Sequence, residues 1–187
     1  MASGVTGTMA RVPWRAIGWG GAVLLLALPF VAMQFQATGV NWTVADFVVF
    51  GTMLLMVGVP LELAARTHEG WAYRGGAALA LLGAFLTVWA DLAVGIVGSE
   101  GNSMNMLFFG ALLIGIVGTA IAKGRARGMA LAMFATAAAL GTAFVVASVA
   151  PTDEAAVKHS AEALGAAVFA SCFLGSAALF RRAAKES

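Results

Sequence analysis

Six long apolar runs dominate this chain, at about residues 16–35, 44–65, 76–98, 104–122, 129–149 and 161–180. Short segments between them hold most of the charge. A helix needs roughly 20 mostly apolar residues to cross the ~30 Å hydrocarbon core of a bilayer, and each run is long enough. A segment in lipid has to pair its backbone groups internally, which leaves helices or closed barrels. Barrel strands alternate apolar and polar residues, and these runs do not. The pattern predicts an all-α, polytopic transmembrane bundle of six helices, with residues 1–187 forming a single membrane domain. The short connections leave no room for a separate soluble domain.

Composition agrees. Apolar residues make up 61% of the 187 positions and charged residues 11%, against about 25% charged in an average soluble domain. Mean hydropathy is +0.91. The lipid bilayer is thus the expected partner of most of the surface. A pI near 9.1 does not point to nucleic acid, because the net charge is only +2 and the basic residues sit between apolar runs. They read as topology signals: cytoplasmic segments of membrane proteins collect Lys and Arg.

With the N-terminus inside, the cytoplasmic side receives Arg11, Arg15, Arg66, Arg74, Lys123, Arg125, Arg127, Arg181, Arg182 and Lys185, and the other side only Lys158. Ten against one predicts that both termini are cytoplasmic and that the number of spans is even. Trp14, Trp19, Trp42, Trp71 and Tyr73 fall near the ends of runs, where interfacial anchors belong. Arg11 and Arg15 ahead of an apolar run are reminiscent of a secretory signal. That run continues to about Phe35 with no small-x-small cleavage site, so an uncleaved first helix is expected. Pro151 should end the fifth helix, and Thr152-Asp153-Glu154 reads as a fresh helix start.

Small residues recur every four positions in the last two runs: Ala135, Ala139, Ala143 and Ala147, then Ala163, Ala167, Ser171 and Gly175. Such stripes let helices approach closely. Cys172, the single cysteine, lies in an apolar run and is expected to be a buried, inert thiol.

Ionisable residues inside spans are candidates for function. Asp46 follows Thr43 by three residues, which is a capping-box spacing. Glu62 precedes Arg66 by four, the favourable order for a structural ion pair. Asp91 has no basic residue within four positions. Ala84, Thr87, Gly95 and Gly98 share its side of an extended third helix, so it is expected to pack against another helix and to be paired, hydrated or protonated. It leads into Ser99, Glu100, Asn102, Ser103 and Asn105. Asn41, Thr43 and Asp46 are expected at the same membrane surface. The candidate polar or ion site is therefore Asp91, Asp46, Glu100, Asn102, Asn105 and Asn41. The alternative reading is a cap on the fourth helix from Asn102 or Ser103, with Glu100 solvated.

The run Trp-Ala-Asp-Leu-Ala-Val-Gly-Ile-Val-Gly-Ser-Glu-Gly-Asn-Ser-Met-Asn at residues 89–105 resembles a group of bacterial multi-pass membrane proteins of unknown function. So do Gly128-Met129-Ala130, Asn41-Trp42-Thr43 and Asp46-Phe47. The similarity covers about residues 40–150. It implies a bacterial inner-membrane setting and no activity.

Several chemistries lack their residues. No lysine lies within a span, so a retinal Schiff base has no anchor. His68 and His159 are expected in loops on opposite sides, which disfavours a bis-histidine haem. No Cys/His cluster suggests a metal, no glycine loop suggests a phosphate cofactor, and no Ser/His/Asp set is apparent. No cofactor is expected. The first functional reading is a structural or accessory helix-bundle protein, acting through helix contacts with itself as a homo-oligomer or with a larger membrane complex. The alternative is a small transporter or ion- or proton-conducting protein that uses the acidic cluster around Asp91. A membrane-embedded enzyme comes third.

Overall fold

A computed structural model describes residues 14–35, 39–99, 101–150 and 159–186, with side chains from residue 161 onward in the last segment. The chain is all-α among these residues. Its helices are α1 (Trp14–Gln34), α2 (Val44–Thr67), α3 (Trp71–Val94), α4 (Met106–Ala122), α5 (Ala126–Val149) and α6 (His159–Glu186), with a 3-10 turn at Ser103–Asn105 leading into α4. All six helices are long and apolar enough to cross a membrane. The chain is an integral membrane protein.

The described residues form two compact units, one ending at Gly58 and the other beginning at Val59. In the first, α1 runs antiparallel to the start of α2. The Trp19 ring lies against Gly58, where an added Cβ would stand 3.0 Å from the indole, and Leu26 lies against Gly51. Thr43 and Asp46 fix the start of α2. The Thr43 backbone N–H and hydroxyl donate to Asp46 Oδ2 at 2.7 and 2.8 Å, and the Asp46 N–H donates to Thr43 Oγ1 at 3.4 Å. Two otherwise orphaned donors at the helix end are satisfied in this way. Trp42 packs edge-on against Phe47 and Phe50.

The second unit holds the end of α2 and α3 to α6. Lipid supplies no hydrophobic drive between helices, so close van der Waals fit must hold them. Glycines provide the room. A Cβ at Gly118 would stand 2.7 Å from the Ala132 Cβ, and one at Gly115 would stand 2.7 Å from the Thr136 hydroxyl, so α4 and α5 are nearly in backbone contact. On the other side, α3 receives α6. Gly76 faces the Phe180 ring, and Gly83 faces Cys172 and Phe173. The Ser176 hydroxyl donates to the Gly76 carbonyl at 2.7 Å across this contact.

The face that α6 buries differs from the one expected. Ala166, Phe169, Phe173, Ala177 and Phe180 point into the core, whereas Ala167 and Ser171 of the small-residue stripe are exposed. Large rings on α6 fill holes left by small residues on α3. Cys172 is half-buried in that contact.

At the end of this unit that holds Tyr73, neighbouring segments lock together. Arg74 donates to the Ala65 and His68 carbonyls, both at 2.7 Å, and so caps the C-terminus of α2. His68 stacks on Tyr73, and the Tyr73 hydroxyl donates to the Gly124 carbonyl at 3.0 Å. The α4–α5 connection is tight because Lys123 and Gly124 adopt positive φ, at 47° and 77°. Glu62 and Arg66 pair one turn apart on α2, the Glu62 side chain largely covered and Arg66 exposed.

Two boundaries correct the sequence reading. First, α3 starts at Trp71 and stops at Val94, so residues 95–98 are loop rather than helix. Gly95 and Gly98 have φ of +77° and +69°, a region open to glycine and costly for other residues. They leave the helix and do not share a helical face with Asp91. Second, His159 opens α6 instead of lying in a loop. Pro151, Thr152, Asp153 and Glu154 lie outside the described residues.

Candidate functional site

The loop after α3 is where the polar candidates gather. It turns inward: Ile96 and Val97 are 5% and 2% exposed. A buried loop brings backbone N–H and C=O groups with it, and each needs a partner. Asn105 supplies two. Its Oδ1 accepts from the Val97 N–H at 2.9 Å, and its amide donates to the Ser99 carbonyl at 2.9 Å. Glu162, in the first turn of α6, accepts from the Gly98 N–H at 2.8 Å. Asn102 caps the short 3-10 turn, its side chain accepting from the Met104 N–H at 3.0 Å. The Asn102 N–H donates back to the Ser99 carbonyl, at 3.1 Å. Three elements are thereby stitched together: the loop, the approach to α4, and α6.

Asp91 sits one turn before the end of α3. Its backbone carbonyl accepts from Gly95, which closes the helix. The side chain continues the buried line of Gly83 and Thr87 along α3. Thr87 satisfies itself by donating to the Gly83 carbonyl at 2.8 Å. Asp91 Oδ1, by contrast, is buried and meets no hydrogen-bond partner among the described residues. A buried carboxyl oxygen outside the surrounding network is a group able to hold a proton or a cation, which is why such residues mark function in membranes.

The other candidates divide between the units. Asp91, Asn102 and Asn105 belong to the second unit, and the latter two serve one loop. Asp46 and Asn41 belong to the first unit. There Asp46 is bound to Thr43, and Asn41 is exposed. Glu100 lies outside the described residues. Glu162 was missing from the sequence-derived set, and its partner Gly98 is 64 positions away. Among the described residues, no three His, Cys, Asp or Glu side chains converge as metal ligands would. Grooves of about 1140 and 760 Å³ open among the described residues of this unit, and Asp91 lines neither of them. Both lie toward the end of the unit that carries Arg125 and Arg127.

No known protein family, curated protein or solved structure matches the chain.

Proposed function

We propose that this chain is an accessory membrane protein, a helix-bundle scaffold that works through helix contacts with a second copy or with a larger membrane complex. One observation carries the reading: the polar side chains around the loop after α3 close onto the chain's own backbone. Asn105, Asn102 and Glu162 hold Val97, Ser99, Gly98 and Met104. In the other unit, Asp46 holds Thr43. Groups occupied in folding a loop are poorly placed to desolvate a passing solute. The resemblance to bacterial multi-pass proteins supports an inner-membrane setting, and the ten-to-one distribution of Lys and Arg supports cytoplasmic termini.

Gentle extraction from native membranes, followed by mass spectrometry of what co-purifies, tests this. A stoichiometric partner or a defined homo-oligomer is expected, with Asp91→Asn leaving both assembly and yield intact. Purified protein that moves protons or a solute by itself in liposomes overturns it.

The second reading is a proton- or cation-conducting protein, supported by the unpartnered Oδ1 of Asp91. Liposome flux that disappears in Asp91→Asn supports that reading. Flux that is unchanged in the variant removes its basis.

A further inference from the structure

The groove of about 760 Å³ lies between the start of α5 and the end of α6. Arg127 stands in the first turn of α5. Arg181 and Lys185 stand one turn apart near the end of α6, at a spacing that puts both on one helical face. All three line the groove, together with Leu131, Phe134 and Leu174. The two helices run in opposite directions here. From Arg127 to Phe134, and from Arg181 back to Leu174, each covers seven residues, or about 10 Å of helix. The groove therefore has a cationic mouth and an apolar trough about 10 Å long, the depth of the upper part of an acyl chain.

The cations at the mouth are available. No carboxylate lines the groove, and Arg127, Arg181 and Lys185 have no ion-pair partner among the described residues. Their neighbours differ: Arg66 pairs with Glu62, and Arg182 pairs with Glu186 while lying 4.7 Å over the Trp71 ring. Three like charges held around one groove repel each other until an anion joins them. A second copy presenting the same groove brings three more cations and is disfavoured. A free anion satisfies the mouth but not the exposed Leu131, Phe134 and Leu174 beneath it.

We infer that this groove binds an anionic glycerophospholipid, with its phosphate among Arg127, Arg181 and Lys185 and one acyl chain along Leu131, Phe134 and Leu174. Basic pockets between helices at a membrane surface suit such headgroups. The site does not depend on the accessory role proposed above.

Native mass spectrometry of delipidated full-length protein tests the assignment. The titrants are phosphatidylglycerol and phosphatidylcholine with identical chains. Each basic residue near a surface favours anionic lipid by about fivefold, and salt reduces this, so a preference of about tenfold for phosphatidylglycerol is expected at about 0.15 M salt. In the variant R127Q/R181Q/K185Q the preference should fall to within about twofold of parity, whereas the charge-matched control R66Q/K123Q/R182Q should keep it. Glycerol phosphate should not displace the lipid. The assignment fails if the wild-type protein shows no preference, if both triple variants lose it equally, or if glycerol phosphate competes as well as phosphatidylglycerol. Should the groove variant not purify as a monodisperse species, Arg181→Gln alone, one of three comparable contributions to a preference of about tenfold, is expected to reduce that preference by about twofold, and an unchanged preference overturns the site.

Discussion

Asn105→Ala removes the side chain on which the loop after α3 depends. Asn105 is 3% exposed, so water cannot easily take its place. Its two bonds are not equivalent. The Ser99 carbonyl also accepts from the Asn102 N–H at 3.1 Å and keeps that partner in the variant. The Val97 N–H, on a residue 2% exposed, gives its hydrogen bond to Asn105 Oδ1 and is left buried without an acceptor. An orphaned donor costs about 1–3 kcal/mol, and the lost amide bond to Ser99 adds about 1 kcal/mol, for a total of about 2–4 kcal/mol. Asn105→Asp retains an acceptor for Val97; ionised, it turns an oxygen toward the Ser99 carbonyl and also buries a charge, so its loss combines the Ser99 bond with that burial. Equilibrium unfolding in mixed micelles, with increasing SDS in a mild detergent, measures both variants against wild type. Proteolysis across residues 95–102 should also speed up in Asn105→Ala. A change below about 0.5 kcal/mol, the range of ordinary surface substitutions, would refute the view that Asn105 holds the buried loop.

Three further outcomes are expected. Gly118→Ala pushes a methyl to 2.7 Å from the Ala132 Cβ and 3.2 Å from its Cα, and should lower stability in detergent melts by about 1–3 kcal/mol. Gly110→Ala, in the same helix with nothing within 4 Å, should be neutral or stabilising by up to about 1 kcal/mol; equal effects at the two sites would contradict the packing of α4 on α5. Tyr73→Phe deletes the hydrogen bond to Gly124 and keeps the ring stacks, so melts should show a loss of about 1 kcal/mol. A fluorescent protein fused to the C-terminus should fluoresce and a phosphatase fused there should be inactive, as the distribution of Lys and Arg requires; the reverse pattern would overturn the orientation.

What could be read from the sequence depended on how far away each residue's partner lay. Asp46 and Glu62 find theirs three and four residues off, at Thr43 and Arg66, and such spacings are visible in a string of letters. Glu162 finds its partner 64 positions back, at Gly98, and nothing around Glu162 signals it. Run length was enough to locate all six helices, because crossing a bilayer fixes a minimum length. It did not locate the end of α3. Hydropathy counts side chains, and Ile96 and Val97 are as apolar in a buried loop as in a helix. Only Gly95 and Gly98 mark the change, and glycines are too common within spans to act as stops there. The α6 stripe misled for a related reason. Small residues show where a helix can approach, but the contact also needs a filler. Here the rings of Phe173 and Phe180 fill the space beside Gly83 and Gly76.

Topology and lipid binding draw on the same basic residues but make different demands on them. A topology signal works by count along the chain and asks nothing of where the cations end up. A headgroup site needs convergence in space and freedom from carboxylates. Several basic residues at the Tyr73 end are already engaged: Arg66 with Glu62, Arg74 with two carbonyls, and Arg182 with Glu186. Arg127, Arg181 and Lys185 are not, and they come from two helices to one groove. Replacing these three leaves seven basic residues on the side expected to be cytoplasmic against Lys158, an asymmetry still large enough to predict the same orientation. The groove variant should therefore insert the same way as wild type while losing its preference for anionic lipid. If the three residues served only as topology signals, lipid preference would follow total charge, and the charge-matched control would lose it equally.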